Sequence, residues 1–239
     1  MHWEKVRQEG IDFVFIKATE GHTFVDKMHK EYYKGAVKAG IAAGFYHFAR
    51  FKNKMEAKKE AEHFIQTVKA FPADLPHVLD LEVASGASRS ILSQAALVFL
   101  DLVKEKTGQD IMLYTYTIFA KRHLNSLLKY IPLWIAHYGV DRPGDNGIWE
   151  RWQVFQYSDK GRINGIQGNV DLNVMMPSLP DHHREAKSNS DKKFYKIKKG
   201  DTFWDLETKN GFQHGTLEKL NPGIDPRKLQ IGQNIVFPK

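Results

Sequence analysis

Short apolar stretches recur along the first three quarters of the chain, at residues 13–18 (FVFIKA), 42–48 (AAGFYHF), 78–82 (VLDLE), 111–114 (IMLY), 133–136 (LWIA), 154–157 (VFQY) and 170–174 (VDLNV). Their length and β-branched or aromatic content predict strands. Helical periods lie between several of them. Ala57, Ala61, Phe64, Ile65 and Val68 repeat at that period, as do Ile91, Ala95, Val98 and Leu102, with Leu92, Ala96, Phe99 and Val103 widening the second face. Gly40 stands where a helix C-terminal glycine is expected after residues 37–39. Strands alternating with helices predict an α/β domain with a mainly parallel sheet. Seven strands without a nucleotide-binding glycine fingerprint favour a barrel over an open sheet.

The pattern breaks at residues 177–193, where Pro177, Pro180 and polar runs such as Asp181-His182-His183-Arg184-Glu185 offer almost nothing to bury. That composition reads as a linker. The expected domains are therefore 1–178, a linker at 179–193 and a small module at 194–239. In the module a strand runs to Gly200 and Asp201 or Thr202 caps a short helix. Residues 216–220 form a second helix, stopped by Asn221-Pro222-Gly223, and residues 234–238 close as a strand. The order is βααβ.

Composition narrows the chemistry. The 239 residues contain no cysteine, which excludes disulfides, zinc-thiolate sites and a cysteine nucleophile. No apolar run approaches the roughly 18 residues of a membrane span. The start, Met1-His2-Trp3-Glu4-Lys5, lacks the apolar core of a signal peptide. Net charge is +7, which points to a polyanionic partner. Residues 191–239 hold ten Lys/Arg against six Asp/Glu, and no dense basic block marks a nucleic-acid arm. His182-His183 has no carboxylate or cysteine at ligand spacing, so no metal site is expected there.

Polar residues at the C-terminal ends of the strands are the candidates for chemistry in a barrel. Asp80-Leu81-Glu82 is the most informative set. Residues i and i+2 of a strand share a face, with Cα atoms roughly 6.5–7 Å apart. Two carboxylates so placed repel each other, which raises one pKa and leaves the other ionised. Glycoside hydrolysis uses that division between an acid and a carboxylate. The same residues also fit a helix cap, a salt-bridge site or a Mg²⁺ site.

The segments at 12–21 (DFVFIKATEG), 44–48 (GFYHF), 80–82 (DLE), 132–136 (PLWIA), 152–157 (WQVFQY) and 170–173 (VDLN) resemble glycoside hydrolase family 25, the Chalaropsis-type lysozymes or N-acetylmuramidases. The likeness covers most of residues 2–176. It implies a modified β/α barrel that cleaves the β-1,4 bond from N-acetylmuramic acid to N-acetylglucosamine in peptidoglycan. Glu82 then matches the general acid and Asp80 its partner carboxylate. Glu20, Tyr46 and Asp171 match positions lining the substrate groove, and Trp134, Tyr138 and Gln156 match sugar-stacking and hydrogen-bonding positions. An aromatic in an apolar strand such as Trp134 is more often a core residue, and Glu20 equally suits a helix-capping acid. The family's barrel opens with a strand bearing an aspartate, which this sequence lacks. The expected fold is thus the barrel with its first strand absent and an open seam.

The C-terminal stretch is similar to a LysM domain through Gly200-Asp201-Thr202, Leu220-Asn221-Pro222, Ile224-Asp225-Pro226 and residues 229–235 (LQIGQNI). The resemblance implies binding of N-acetylglucosamine-containing glycans by Asp201, Thr202, Phe203, Asn221, Pro222, Gly223 and Ile224. Phe203 replaces the usual leucine, and Glu207 is expected to face solvent. Together the two halves imply a monomeric wall hydrolase acting at the bacterial cell wall. It is expected to need no cofactor or metal and to bind neither nucleic acid nor membrane. With no signal peptide in the sequence, phage-type release or a truncated N-terminus is expected. The alternatives are a wall-binding protein impaired by the missing strand and a hydrolase of another glycan such as chitin.

Overall fold

The computed structural model describes residues 1–176, 193–210, 212, 215–221, 224–226 and 228–237. Residues 179–192 of the expected 179–193 linker, His182-His183 among them, and Pro222 and Gly223 lie outside the described residues; Lys193 already belongs to a strand. The chain divides into two compact units, Met1–Pro177 and Ser178–Lys239.

In the first unit the strands are β1 (Phe13–Glu20), β2 (Phe24–Val25), β3 (Ala42–Phe48), β4 (His77–Asp80), β5 (Ile111–Tyr116), β6 (Leu133–Ala136), β7 (Val154–Gly161) and β8 (Val170–Met175). The helices are α1 (Trp3–Gln8), α2 (His29–Lys38), α3 (Lys54–Val68), α4 (Arg89–Thr107) and α5 (Thr117–His123). All seven predicted strands form. The eighth, β2, is two residues long and too short to carry a period. The sheet order is β2-β1-β3-β4-β5-β6-β7-β8. Pairing is parallel from β1 through β7, while β2 and β8 pair antiparallel to their neighbours. The sheet is curled but open, because β1 and β8 do not pair with each other.

Strand alternation sorts the side chains into two clusters. Ile16, Ala43, Phe45, Leu79, Leu81, Leu113, Ile135 and Phe155 point outward and pack under the helices. Val78, Met112, Tyr114, Trp134, Ala136 and Val154 pack on the concave face with Phe15 and Tyr46. With both faces covered, the strands read as near-continuous apolar runs. Gly44 pairs with Phe15, and a Cβ there would lie 2.9 Å from the Phe15 ring. Its bare backbone lets that ring reach Trp134, centroid to centroid 4.7 Å.

The helices follow local signals. Asn53 caps α3 by accepting from the Glu56 amide at 3.0 Å, while Glu56 reaches back to the Lys52 amide. A capping box of this kind is worth about 1 kcal/mol. Gly40 follows α2 at φ +71, as expected. On α4 the buried stripe is Leu92, Ala95, Ala96, Phe99, Leu100 and Val103, whereas Ile91 is 48% exposed. Ile91 sits in the first turn, ahead of the strands that the helix covers.

The second unit contains β9 (Lys193–Lys196), α6 (Phe203–Asn210), α7 (Thr216–Leu220) and β10 (Asn234–Phe237), with β9 and β10 antiparallel. β9 ends four residues before Gly200. Ile197, Phe203, Leu206, Leu217, Ile235 and Phe237 form its core. Thr202, not Asp201, caps α6, accepting from the Asp205 amide at 3.0 Å. Asp201 instead closes the preceding loop, accepting from the Lys198 amide and the Tyr195 hydroxyl. Glu207 does not face solvent. It is 2% exposed, and its carboxylate accepts from the Gly215 and Leu217 amides at 3.0 and 2.7 Å. The start of α7 needs acceptors, and a buried carboxylate supplies them.

Candidate active site

Six neighbouring parallel strands deliver their C-terminal ends to one rim. β8 runs the other way, so Asp171 reaches that rim from near its strand's beginning. Below the rim lies a cavity of about 1040 Å³, lined among others by Lys17, Tyr46, Asp80, Glu82, Tyr114, Trp134, Tyr138, Gln156 and Asp171. Seven of the eight candidates predicted for this domain line it. The eighth, Glu20, does not.

Asp80 closes β4 and is 8% exposed. Glu82 lies two residues on, past the strand end. The Leu81 amide still bonds to the Tyr114 carbonyl at 2.9 Å, so the alternation continues. Leu79 and Leu81 enter the outer core while Asp80 and Glu82 share the cavity. Burial first, and then repulsion from Glu82, hold the Asp80 carboxyl well above the usual aspartate range. The Lys17 ammonium opposes this. Asp80 Oδ1 is buried with no hydrogen-bond partner among the described residues. Burial also raises Glu82; the nearby Tyr114 hydroxyl acts the other way, and Asp171 adds to the rise. Asp171 is raised by burial and by Asp159. Burial and the neighbouring carboxyls therefore favour the protonated forms of all three.

The concave aromatics form one network. Gln156 is buried, and its Oε1 accepts from the Tyr114 and Tyr138 hydroxyls at 2.8 and 2.5 Å. Trp134 donates from Nε1 to Asn173 Oδ1 at 2.9 Å and is 6% exposed. It is therefore both a core residue and part of the cavity wall. Tyr46 packs on the same concave cluster as Phe15, and burial with nearby carboxylates, Asp80 foremost, keeps its hydroxyl protonated. Tyr138 is 45% exposed at the mouth. Tyr114 and Lys17 belong to the site but were not singled out from sequence. Tyr114 reads as one more apolar strand residue. The inward position of Lys17 follows only from the alternation beginning at Phe13 and Phe15.

Glu20 is the last residue of β1 and caps no helix, since α2 begins at His29 and the residue before it is Met28, which makes no side-chain cap. Its Oε1 accepts from Arg50 at 2.6 and 2.8 Å and its Oε2 from Lys17 at 2.6 Å. These partners, Lys17 foremost, pull its pKa down. Glu20 thus anchors Lys17, whose ammonium lies 5.2 Å from the Phe48 ring centroid. Beneath them Thr19, His47 and Glu60 form a buried chain: His47 Nδ1 meets Thr19 Oγ1 and Nε2 meets Glu60 Oε2, both at 2.8 Å. Burial lowers the His47 pKa.

In the small unit, Phe203 and Asn221 are built into the core. Asn221 donates to the Leu217 and Val236 carbonyls and accepts from the Val236 amide. Ile224 packs against that core. Asp201 and Thr202 lie at the surface end of the loop. Among the described residues no group of three or more His, Asp or Glu is placed to hold a metal ion. No described helix is long and apolar enough to cross a membrane.

A curled, mainly parallel sheet with paired carboxylates at the C-terminal rim defines a glycoside hydrolase class, and the comparisons agree. Residues 1–166 match the glycosyl hydrolases family 25, and the chain belongs to that family. Residues 195–238 match the LysM domain. The chain is 43% identical over 167 residues to the autolytic lysozyme of Clostridium acetobutylicum, covering 70% of this chain and 49% of that protein. It therefore spans about half the length of that curated relative. It is 31% identical to the N,O-diacetylmuramidase of Chalaropsis sp, over 68% of this chain and 86% of that one. The crystal structure of the bacterial lysozyme from Streptomyces coelicolor superposes with a TM-score of 0.68 at 30% identity, covering 75% of this chain and 88% of that chain.

Proposed function

We propose that the chain is a peptidoglycan hydrolase that cleaves the β-1,4 bond between N-acetylmuramic acid and N-acetylglucosamine. On this reading it works at the bacterial cell wall, where the LysM domain holds it to the glycan. The observation that carries this is the Asp80/Glu82 pair: two carboxyls on one face of β4 and its extension, both with raised pKa, in the part-apolar cavity of a family 25 domain. The names of the relatives, autolytic lysozyme and N,O-diacetylmuramidase, support the bond class.

Glu82 is the general acid. It lies beyond the strand end, open to the cavity, with burial favouring the protonated form needed to donate to a leaving glycosidic oxygen. Asp80 is the partner carboxyl that stabilises developing positive charge on the sugar in its ionised form, which Lys17 favours against the opposing effects of burial and Glu82. Tyr46, Tyr138, Trp134 and Asp171 shape the sugar subsite, while Gln156 holds the two tyrosine hydroxyls. In the LysM domain Asp201 and Thr202 face the glycan, and Phe203 and Asn221 maintain the loops that do so. A weak glycan contact there raises the local concentration of substrate for the tethered domain.

The test is digestion of purified peptidoglycan with assay of the new reducing ends. Muramic-acid ends are expected, with chitin cleaved poorly. Glu82→Gln should lower the rate by about 10²–10⁴. Unchanged lysis by that variant would remove the acid assignment. Glucosamine reducing ends, or equal cleavage of chitin, would remove the bond assignment.

A further inference from the structure

Helix α2 carries lysines at positions 30, 34 and 38, and Lys27 stands in the turn just before it. Steps of three and four residues put these side chains on one flank, with neighbouring Cβ atoms about 5–6 Å apart. All four are exposed. None takes part in an ion pair among the described residues. Glu31, four residues from Lys27 and three from Lys34, is the sole acid on the helix and shares this flank, leaving four lysines to one acid. Like charges at this spacing destabilise an isolated helix by a few tenths of a kcal/mol per pair, and α2 has no side-chain N-cap to offset that. What holds the helix is its opposite side, where His29 and Ala36 are buried and Tyr32 and Tyr33 pack on the core.

The stripe also has a direction. α2 is the crossover between parallel β1 and β3, so it runs antiparallel to them and starts at the rim. Asp26, next to Lys27, lines the cavity. The lysines therefore run from the mouth of the site down the flank of the domain.

We propose that this stripe binds a linear phosphodiester polyanion of the cell wall, such as a poly(glycerol phosphate) chain, and lays it along the domain from the mouth of the cavity. Such a chain carries one negative charge per short polyol unit, a repeat on the scale of one helical turn, about 5.4 Å. Single-stranded nucleic acid fits less well, because α2 presents no exposed aromatic and Phe24, at the start of the stripe, offers a single ring for stacking. A bilayer fits less well too, since Val37 is the one exposed large apolar residue of the helix. The proposal rests on the wall-lytic reading for where the polymer is met, but binding itself requires no hydrolysis.

The experiment measures binding of the full chain to deacylated poly(glycerol phosphate), with no glycan present. Replacement of Lys27, Lys30, Lys34 and Lys38 by Gln should weaken binding more than tenfold, from roughly fivefold per lysine near an anionic surface. Replacing Lys52, Lys54, Lys59 and Lys129 by Gln makes the same change in net charge elsewhere and should leave affinity within about twofold. Added salt should weaken the wild-type interaction steeply. The proposal fails if the wild type does not bind, or if the two variants lose affinity equally. It also fails if a single-stranded oligonucleotide or a phosphatidylglycerol vesicle engages the stripe more tightly than the polymer. Loss of lytic activity with polymer binding intact would count against the wall-lytic reading alone.

Discussion

Asp80→Asn should make the protein more stable and less active. In the wild type the carboxyl is 8% exposed, its Oδ1 has no hydrogen-bond partner among the described residues, and Glu82 repels its charge. Leaving a buried acceptor unpaired costs about 1–3 kcal/mol, and more when it is charged. Removing the charge at nearly constant volume should therefore stabilise by about 2 kcal/mol at neutral pH. For a domain of this size that raises Tm by about 4–8 °C. The pH dependence fixes the cause. A carboxyl whose folded pKa lies above its unfolded value takes up a proton on folding. Wild-type stability then falls as pH rises from the ordinary aspartate range through the raised folded pKa. The advantage of the variant should shrink as pH falls from 7 to 4, as Asp80 takes up its proton in the folded protein, and vanish only below the ordinary aspartate range, where the carboxyl is protonated in both states. Thermal unfolding at the two pH values, with wall clearing measured alongside, reads all of this. Activity should fall by about 10²–10³, the usual loss of one preorganised electrostatic group. An unchanged or lower Tm at pH 7, or an equal gain at pH 4 and pH 7, would refute the burial argument.

Lys17→Met removes the cation that opposes the rise at Asp80, so the acid limb of the pH–activity profile should move to higher pH, as a pH series on wall lysis would show. Glu60→Ala strands His47 Nε2 and the Arg50 amide, both of which bond to Glu60 Oε2; denaturant unfolding should show a loss of about 2–3 kcal/mol. Glu207→Ala leaves the Gly215 and Leu217 amides without their acceptor, so binding to insoluble N-acetylglucosamine polymer should drop while cleavage of soluble wall fragments persists. Retained glycan binding by that variant would show that the module holds without its buried carboxylate.

Alternation and helical period were enough to place seven strands of the large sheet, α3, α4 and the glycine after α2, because each is a local consequence of which faces are buried. The same alternation put Asp80 and Glu82 on one side of a strand, and that needs no knowledge of the neighbours. Family motifs added the groove residues Tyr46, Trp134, Tyr138, Gln156 and Asp171, all of which line the cavity.

Other features depended on contacts distant in sequence. Glu20 has the local signature of a cap, yet its partners are Lys17 across a bend in its own strand and Arg50, thirty residues away. Glu207 looks like a solvated helix residue, yet the amides of a second helix draw it into the core. Tyr114 is indistinguishable in sequence from its apolar neighbours; the pairing of β4 with β5 brings it near Glu82, and the curl of the sheet brings its hydroxyl to Gln156 on β7. The sequence by itself determined which residues carry charge and which face of each element is apolar, since both are short-range properties. The ionisation of Asp80 and Glu82 was decided by the tertiary structure, because the burial and neighbouring charges that move a pKa exist only once the strands are assembled side by side.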